Sequence, residues 1–156
     1  MRLYNRLSSA LLLLALAWGT AAGDEGINDA AALAGIEQAR VVVPIDVPAA
    51  ARYLKRVRGL HRRLREQGVE PDIVLVFLDG TVRYLTTEPD RLLAMESEDE
   101  LRAIRDQLRA LDRPGVRMAA SRLDREAVLP QLHLVGDGLV SLIGWQHRGY
   151  SLVPVF

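Results

Sequence analysis

The chain has 156 residues, with 20 Lys plus Arg balancing 20 Asp plus Glu, 49% hydrophobic and 5% aromatic residues, and no cysteine. That composition bounds it to one ordinary domain and excludes a large multidomain enzyme. Without a thiol, disulfide scaffolding, Cys-ligated zinc, iron–sulfur ligation, haem attachment and any cysteine nucleophile are excluded as well.

Residues 1–6 carry Arg2 and Arg6 and no acid, 7–18 form an apolar run centred on Leu11, Leu12, Leu13 and Leu14, and small residues fill 19–23. This is the layout of a secretory signal, with Thr20-Ala21-Ala22-Gly23 offering a peptidase its small residues before Asp24. The run is short for a bilayer crossing, which leaves an uncleaved anchor as the lesser alternative to a cleaved signal. The expected plan is a signal over 1–23, a leader over 24–39 that fits either a flexible segment or a short docking helix, and an α/β domain over 40–156. The domain is expected in the periplasm or otherwise exported, with no stable membrane span after cleavage. Cleavage removes two bases and no acid, and the resulting excess of acid disfavours a nucleic-acid binder.

Val41 to Val47 is a β-branched run and reads as the first strand; Pro44 inside it requires an irregularity or a missing hydrogen-bonded neighbour at that residue. Pro48 then opens a helix in which Tyr53, Val57, Leu60 and Leu64 share one apolar face, ending before Gly68. Asp72 to Leu78 is a continuous apolar run between Pro71 and Asp79-Gly80, as expected of a central strand covered on both faces. A short helical turn is expected at 91–95. Ser97 with Glu100 reads as a capping box for a helix whose buried stripe is Leu101, Ile104, Leu108 and Leu111, stopped by Arg113-Pro114-Gly115. Val116 to Ala120 reads as a third strand, Arg122 to Leu129 as a short helix, and Leu132 to Val135 as a fourth strand. A helix from Leu139 to Arg148 ends at Gly149, and Tyr150 to Phe156 closes the chain as a fifth strand.

Alternating strands and helices, with apolar rather than alternating strands, predict a parallel sheet between helical layers. Ligands in such sheets sit at the carboxyl ends of the strands. The candidate ligand-binding residues are therefore Asp46, Asp79, Gly80, Thr81 and Asp137, with Ser121 at the end of the third strand.

Val43-Pro44-Ile45-Asp46-Val47-Pro48, Asp72-Ile73-Val74-Leu75-Val76-Phe77-Leu78-Asp79-Gly80, Pro114-Gly115-Val116-Arg117-Met118-Ala119-Ala120-Ser121 and Gly149-Tyr150, in that order, resemble the DsrE/DsrF-like family over roughly residues 40–156. The resemblance implies a three-layer α/β/α domain with five parallel strands, related in architecture to flavodoxin. It also implies assembly into homo-oligomers, trimers or hexamers, and, in active members, sulfur carried as a persulfide on a cysteine shortly after the Gly-Val that starts the third strand. Ser121 occupies that place. An alcohol is not the polarizable thiolate that persulfide chemistry needs, so that route is closed. An activated Ser121 requires a base in hydrogen-bond reach, and His61, His133 and His147 are not expected near it. The local signature favours Ser121 as the cap of the helix beginning at Arg122, with Asp124 at the capping-box position.

Two surfaces stand out. Arg52, Lys55, Arg56, Arg58, Arg62, Arg63 and Arg65 crowd the first long helix, opposed by Glu66, and fit either a solvated face or an acidic protein or anionic surface as partner, with Arg56 and Arg63 as candidate interface residues. Trp145 and Tyr150 fit either a sealed core or a subunit interface. The histidines lack ligands at usable spacing, so neither metal nor cofactor is expected. The reading is a non-catalytic binding or assembly module, related to sulfur metabolism by ancestry. The alternatives are a hydrolase or transferase of a small anionic substrate using Ser121 with Asp46 or Asp79, and a small-ligand or nucleotide-binding domain using the Asp79-Gly80-Thr81 turn.

Overall fold

A computed structural model describes residues 28–46 and 50–154. The expected signal over 1–23, Pro48 and Phe156 lie outside the described residues. The elements in chain order are α1 (Ala30–Leu33), β1 (Gln38–Ile45), α2 (Ala50–Glu66), β2 (Glu70–Phe77), α3 (Asp79–Val82), α4 (Arg91–Glu96), α5 (Glu98–Leu111), β3 (Val116–Ala120), β4 (His133–Leu134), α6 (Gly138–His147) and β5 (Ser151–Leu152). All five strands are parallel, in the order β4-β3-β2-β1-β5, with β2 in the centre.

The connections explain the layers. From β1 the chain steps to β2, β3 and β4 in one direction, then α6 carries it back across the sheet to β5 beside β1. Right-handed crossovers that step in opposite directions place their helices on opposite faces. Accordingly Val43, Ile45, Ile73, Leu75, Phe77, Met118 and Ala120 pack under α2 and α5 on one face, whereas Val42, Val74 and Val76 pack with Leu142, Trp145 and Tyr150 on the other. The result is a three-layer α/β/α domain.

Strand parity also explains Pro44. The carbonyl of Val42 accepts from Val153 N on the β5 side, and that of Ile45 accepts from Leu78 N on the β2 side, so Pro44 faces the β5 side. The β1–β5 ladder ends at Leu152, opposite Val42, so Pro44, which has no N–H to donate, stands just past the last paired residue on that side.

Several local expectations are corrected. β1 begins at Gln38, inside the segment read as a leader, and the one-turn α1 before it is tied to the end of α2 by Asp29 N–H donating to Gln67 Oε1 at 3.2 Å and Gln67 Nε2 donating to Asp29 Oδ2 at 3.3 Å. Ser97 flanks α5 but makes no side-chain cap bond, and Glu100 reaches across to accept from Ala51 N at 3.2 Å. α5 buries the four expected residues Leu101, Ile104, Leu108 and Leu111. Residues 122–129 form no helix. Arg122 takes φ +58°, and Thr86 pairs antiparallel with Val128 while Thr87 N donates to Ala127 O at 2.7 Å. Ser121 therefore caps nothing. β4 and β5 are each two residues long, shorter than expected. Among the described residues no helix is long and apolar enough to cross a membrane.

Candidate functional site

The crevice at the carboxyl ends of β2, β3 and β4 follows from topology: the chain leaves β2 toward the α5 face and leaves β4 toward the α6 face, so the ground between them is open. A cavity of about 50 Å³ sits there, and Asp79, Ser121, Arg122, Asp137 and Gly138 contribute to its lining. Gly138 lets α6 start against the end of β2, because a Cβ at that position would run into Leu78 and approach Phe77 O to 3.5 Å. Among the described residues only Asp79 (φ +30°) and Arg122 (φ +58°) are non-glycine residues at positive φ, and both border this cavity. Backbone held in such regions clusters at functional sites. Here the two side chains meet, Arg122 Nη1 lying 3.0 Å from Asp79 Oδ1, in a pair exposed enough to contribute no more than about 1 kcal/mol.

Ser121 is buried, and among the described residues no histidine, lysine or carboxylate hydrogen-bonds its hydroxyl. Asp137 accepts from the N–H groups of Leu139 at 2.8 Å and Val140 at 3.0 Å, capping α6. The remaining strand-end candidates do not converge. Asp46 is exposed beyond β1 and does not line the cavity. Gly80 is exposed and Thr81 buried within the four-residue α3, and of the Asp79-Gly80-Thr81 turn only Asp79 lines the cavity. His61 is buried on α2 with Nε2 3.3 Å from Pro114 O, beside the start of β3 and thus at the other end of the sheet from Ser121. His147 closes α6 at that same far end. Among the described residues no three His, Cys, Asp or Glu side chains come together as a metal set.

Sequence reasoning missed a second cluster. Asp72 at the start of β2 accepts from Arg117 of β3 and from the Tyr150 hydroxyl, the latter at 2.6 Å, while Arg117 also donates to the Tyr150 oxygen. The Arg117 guanidinium lies 4.6 Å from the Trp145 ring centroid and 5.5 Å from that of Tyr150, and the two rings meet edge to face at 4.9 Å. Burial opposes the Arg117 charge, but the bond to Tyr150 and the charge of Asp72 outweigh it and its pKa rises. Burial raises the Tyr150 pKa, its bond to Asp72 adds to this, and Arg117 only partly offsets them. The cluster anchors the last strand and the end of α6 to the sheet. Tyr150 is thus a core residue and Trp145 half-buried against it, whereas Arg56 and Arg63 are exposed on α2. The one local signal was an arginine within the otherwise apolar third strand.

No family model matches the chain, and no curated protein matches it. Among solved structures it is similar to the protein of unknown function MTH1491 from Methanobacterium thermoautotrophicum, with 18% identity and a TM-score of 0.54 over 75% of this chain and 99% of that one. The likeness is one of fold. It agrees with the layered parallel sheet described above.

Proposed function

We propose that the protein is an exported DsrE/F-like domain that has given up sulfur transfer and serves as a non-catalytic assembly module, packing through α6 against further copies of itself. The observation that carries this reading is α6. Its ten residues include no Asp, Glu, Lys or Arg, and only Gly138 and Leu142 are buried. Leu139, Val140 and Ile143 stand 62%, 66% and 56% exposed, and Leu152 of the edge strand is exposed as well. These four side chains offer on the order of 400 Å² of apolar surface, the size of the largest patches on monomers, which are often functional. A helix without charge suits an apolar partner, and the same patch on a second copy meets that requirement.

The crevice supports the loss of chemistry. Ser121 supplies no thiol, among the described residues it has no hydrogen-bonded base, and the adjoining cavity of about 50 Å³ is far below the several hundred Å³ of ordinary ligand sites. The DsrE/F resemblance sets the expected copy number at three or six. Light scattering on the size-exclusion peak of the purified protein, beside a V140E/I143E variant, tests the reading. The protein should run at three or six chain masses and the variant at one, with the same far-UV circular dichroism. A wild-type monomer at every concentration, or a variant that still assembles, overturns it. Export is tested separately: the intact mass recovered from the periplasm should lack residues 1–23.

A further inference from the structure

At the opposite end of the sheet from Ser121, α2 and the α5–β3 loop border an open surface hollow of about 580 Å³, where His61, Arg62 and Arg65 face Asp112, Arg113 and Pro114. A second hollow of about 400 Å³ shares Arg62 and Arg113 with it and adds Lys55, Arg58 and Gly59. Five cations thus line the joined space against two carboxylates, Glu66 and Asp112. Glu66 is 3.5 Å from Arg62, and Arg65 turns toward Glu70 at 3.9 Å. Among the described residues Lys55, Arg58 and Arg113 have no ion-pair partner. Like charges gathered around an open hollow repel one another, and a bound anion relieves that repulsion. The walls are also fixed to each other, since buried His61 places Nε2 3.3 Å from the Pro114 carbonyl.

We infer that the joined hollows are a binding site for a soluble polyphosphate chain, either free or carried by a nucleoside. Both hollows have room for a short chain of phosphates, and their charged lining suits an anion rather than an apolar ligand. Guanidinium forks match phosphate oxygens, and Arg62 and Arg113, shared by the two spaces, stand where an elongated anion crosses from one to the other. Two basic residues of α2 outside the hollows, Arg52 and Arg56, lie over the Tyr53 ring at 5.1 and 5.6 Å. This inference is independent of assembly through α6, which lies on the other face of the sheet.

Calorimetric titration of the purified protein with inorganic tripolyphosphate at low ionic strength is the test. Saturable binding of one chain per protein is expected. R62A/R113A, both at exposed positions, should weaken it by about tenfold or more, while R52A/R56A, which removes the same charge outside the hollows, should change it by less than about twofold. Thermal melts of both variants show that each is folded. Tighter binding of a nucleoside triphosphate than of tripolyphosphate identifies the nucleotide as the source, and equal or weaker binding identifies the inorganic chain. Absence of saturable binding, an unaffected R62A/R113A variant, or an equal loss in R52A/R56A overturns the inference.

Discussion

Gly115 precedes β3 at φ +81°, and a Cβ built there falls well under 3.0 Å from the backbone oxygen of Pro71. Its own carbonyl accepts from Ile73 N at 2.8 Å, the bond that opens the β2–β3 ladder. Gly68 supplies the control, since its φ is +76° but nothing lies within 4 Å of the added carbon. Alanine at either site pays the left-handed backbone cost of about 1–2 kcal/mol. Only at Gly115 must two strands also part, which forfeits a ladder hydrogen bond at about 1 kcal/mol and loosens the packing beneath it by a comparable amount. G68A should therefore destabilise by about 1–2 kcal/mol and G115A by about 3–4 kcal/mol. Urea unfolding followed by circular dichroism, with unchanged m-values, measures both. If the two variants agree within about 0.5 kcal/mol, the close approach of β2 and β3 does not govern that glycine and the reasoning fails.

Tyr150→Phe removes the hydroxyl that bonds Asp72 and should cost about 1–2 kcal/mol at neutral pH. Because the folded Tyr150 pKa lies above the ordinary 10.0, the stability linked to its neutral form is complete below pH 10 and is lost as pH rises from there through the folded value. Thermal melts from pH 8 to 11 should fall more steeply for wild type than for Y150F, and parallel curves would refute this assignment. Ser121→Ala should leave stability within about 0.5 kcal/mol, because no cap or base bond is lost; a much larger loss in urea unfolding would expose a role missed at the crevice. Asp137→Ala should cost about 1 kcal/mol through the α6 cap, while Ser97→Ala, where no cap bond exists, should be nearly neutral; equal losses contradict the capping assignment.

The strands were legible because Val41–Val43 and Ile73–Phe77 are runs that suit a doubly covered sheet, and α5 was legible from its stripe alone. Capping at Ser97 failed because Glu100 turns to Ala51, 49 residues away, a tertiary partner that no local window contains. The helix expected over 122–129 failed for the same reason, as pairing of Val128 with Thr86 and the left-handed Arg122 override local propensity. At the crevice, strand ends pointed to Asp79, Ser121 and Asp137, but not to Arg122, whose role comes from the ion pair with Asp79 across 43 residues. The Asp72–Arg117–Tyr150 cluster joins residues 45 and 78 positions apart and became visible only once β2, β3 and β5 were aligned.

Assembly through α6 requires that face to be covered by another copy of the chain. Since the sequence has no cysteine, Ile143→Cys introduces a unique thiol on that face, and Asp106→Cys places one at an exposed position of α5. Maleimide labelling of the I143C variant should be slow at high protein concentration and become fast on dilution, while the D106C variant labels rapidly throughout. Equal, concentration-independent labelling of the two variants would contradict assembly through α6.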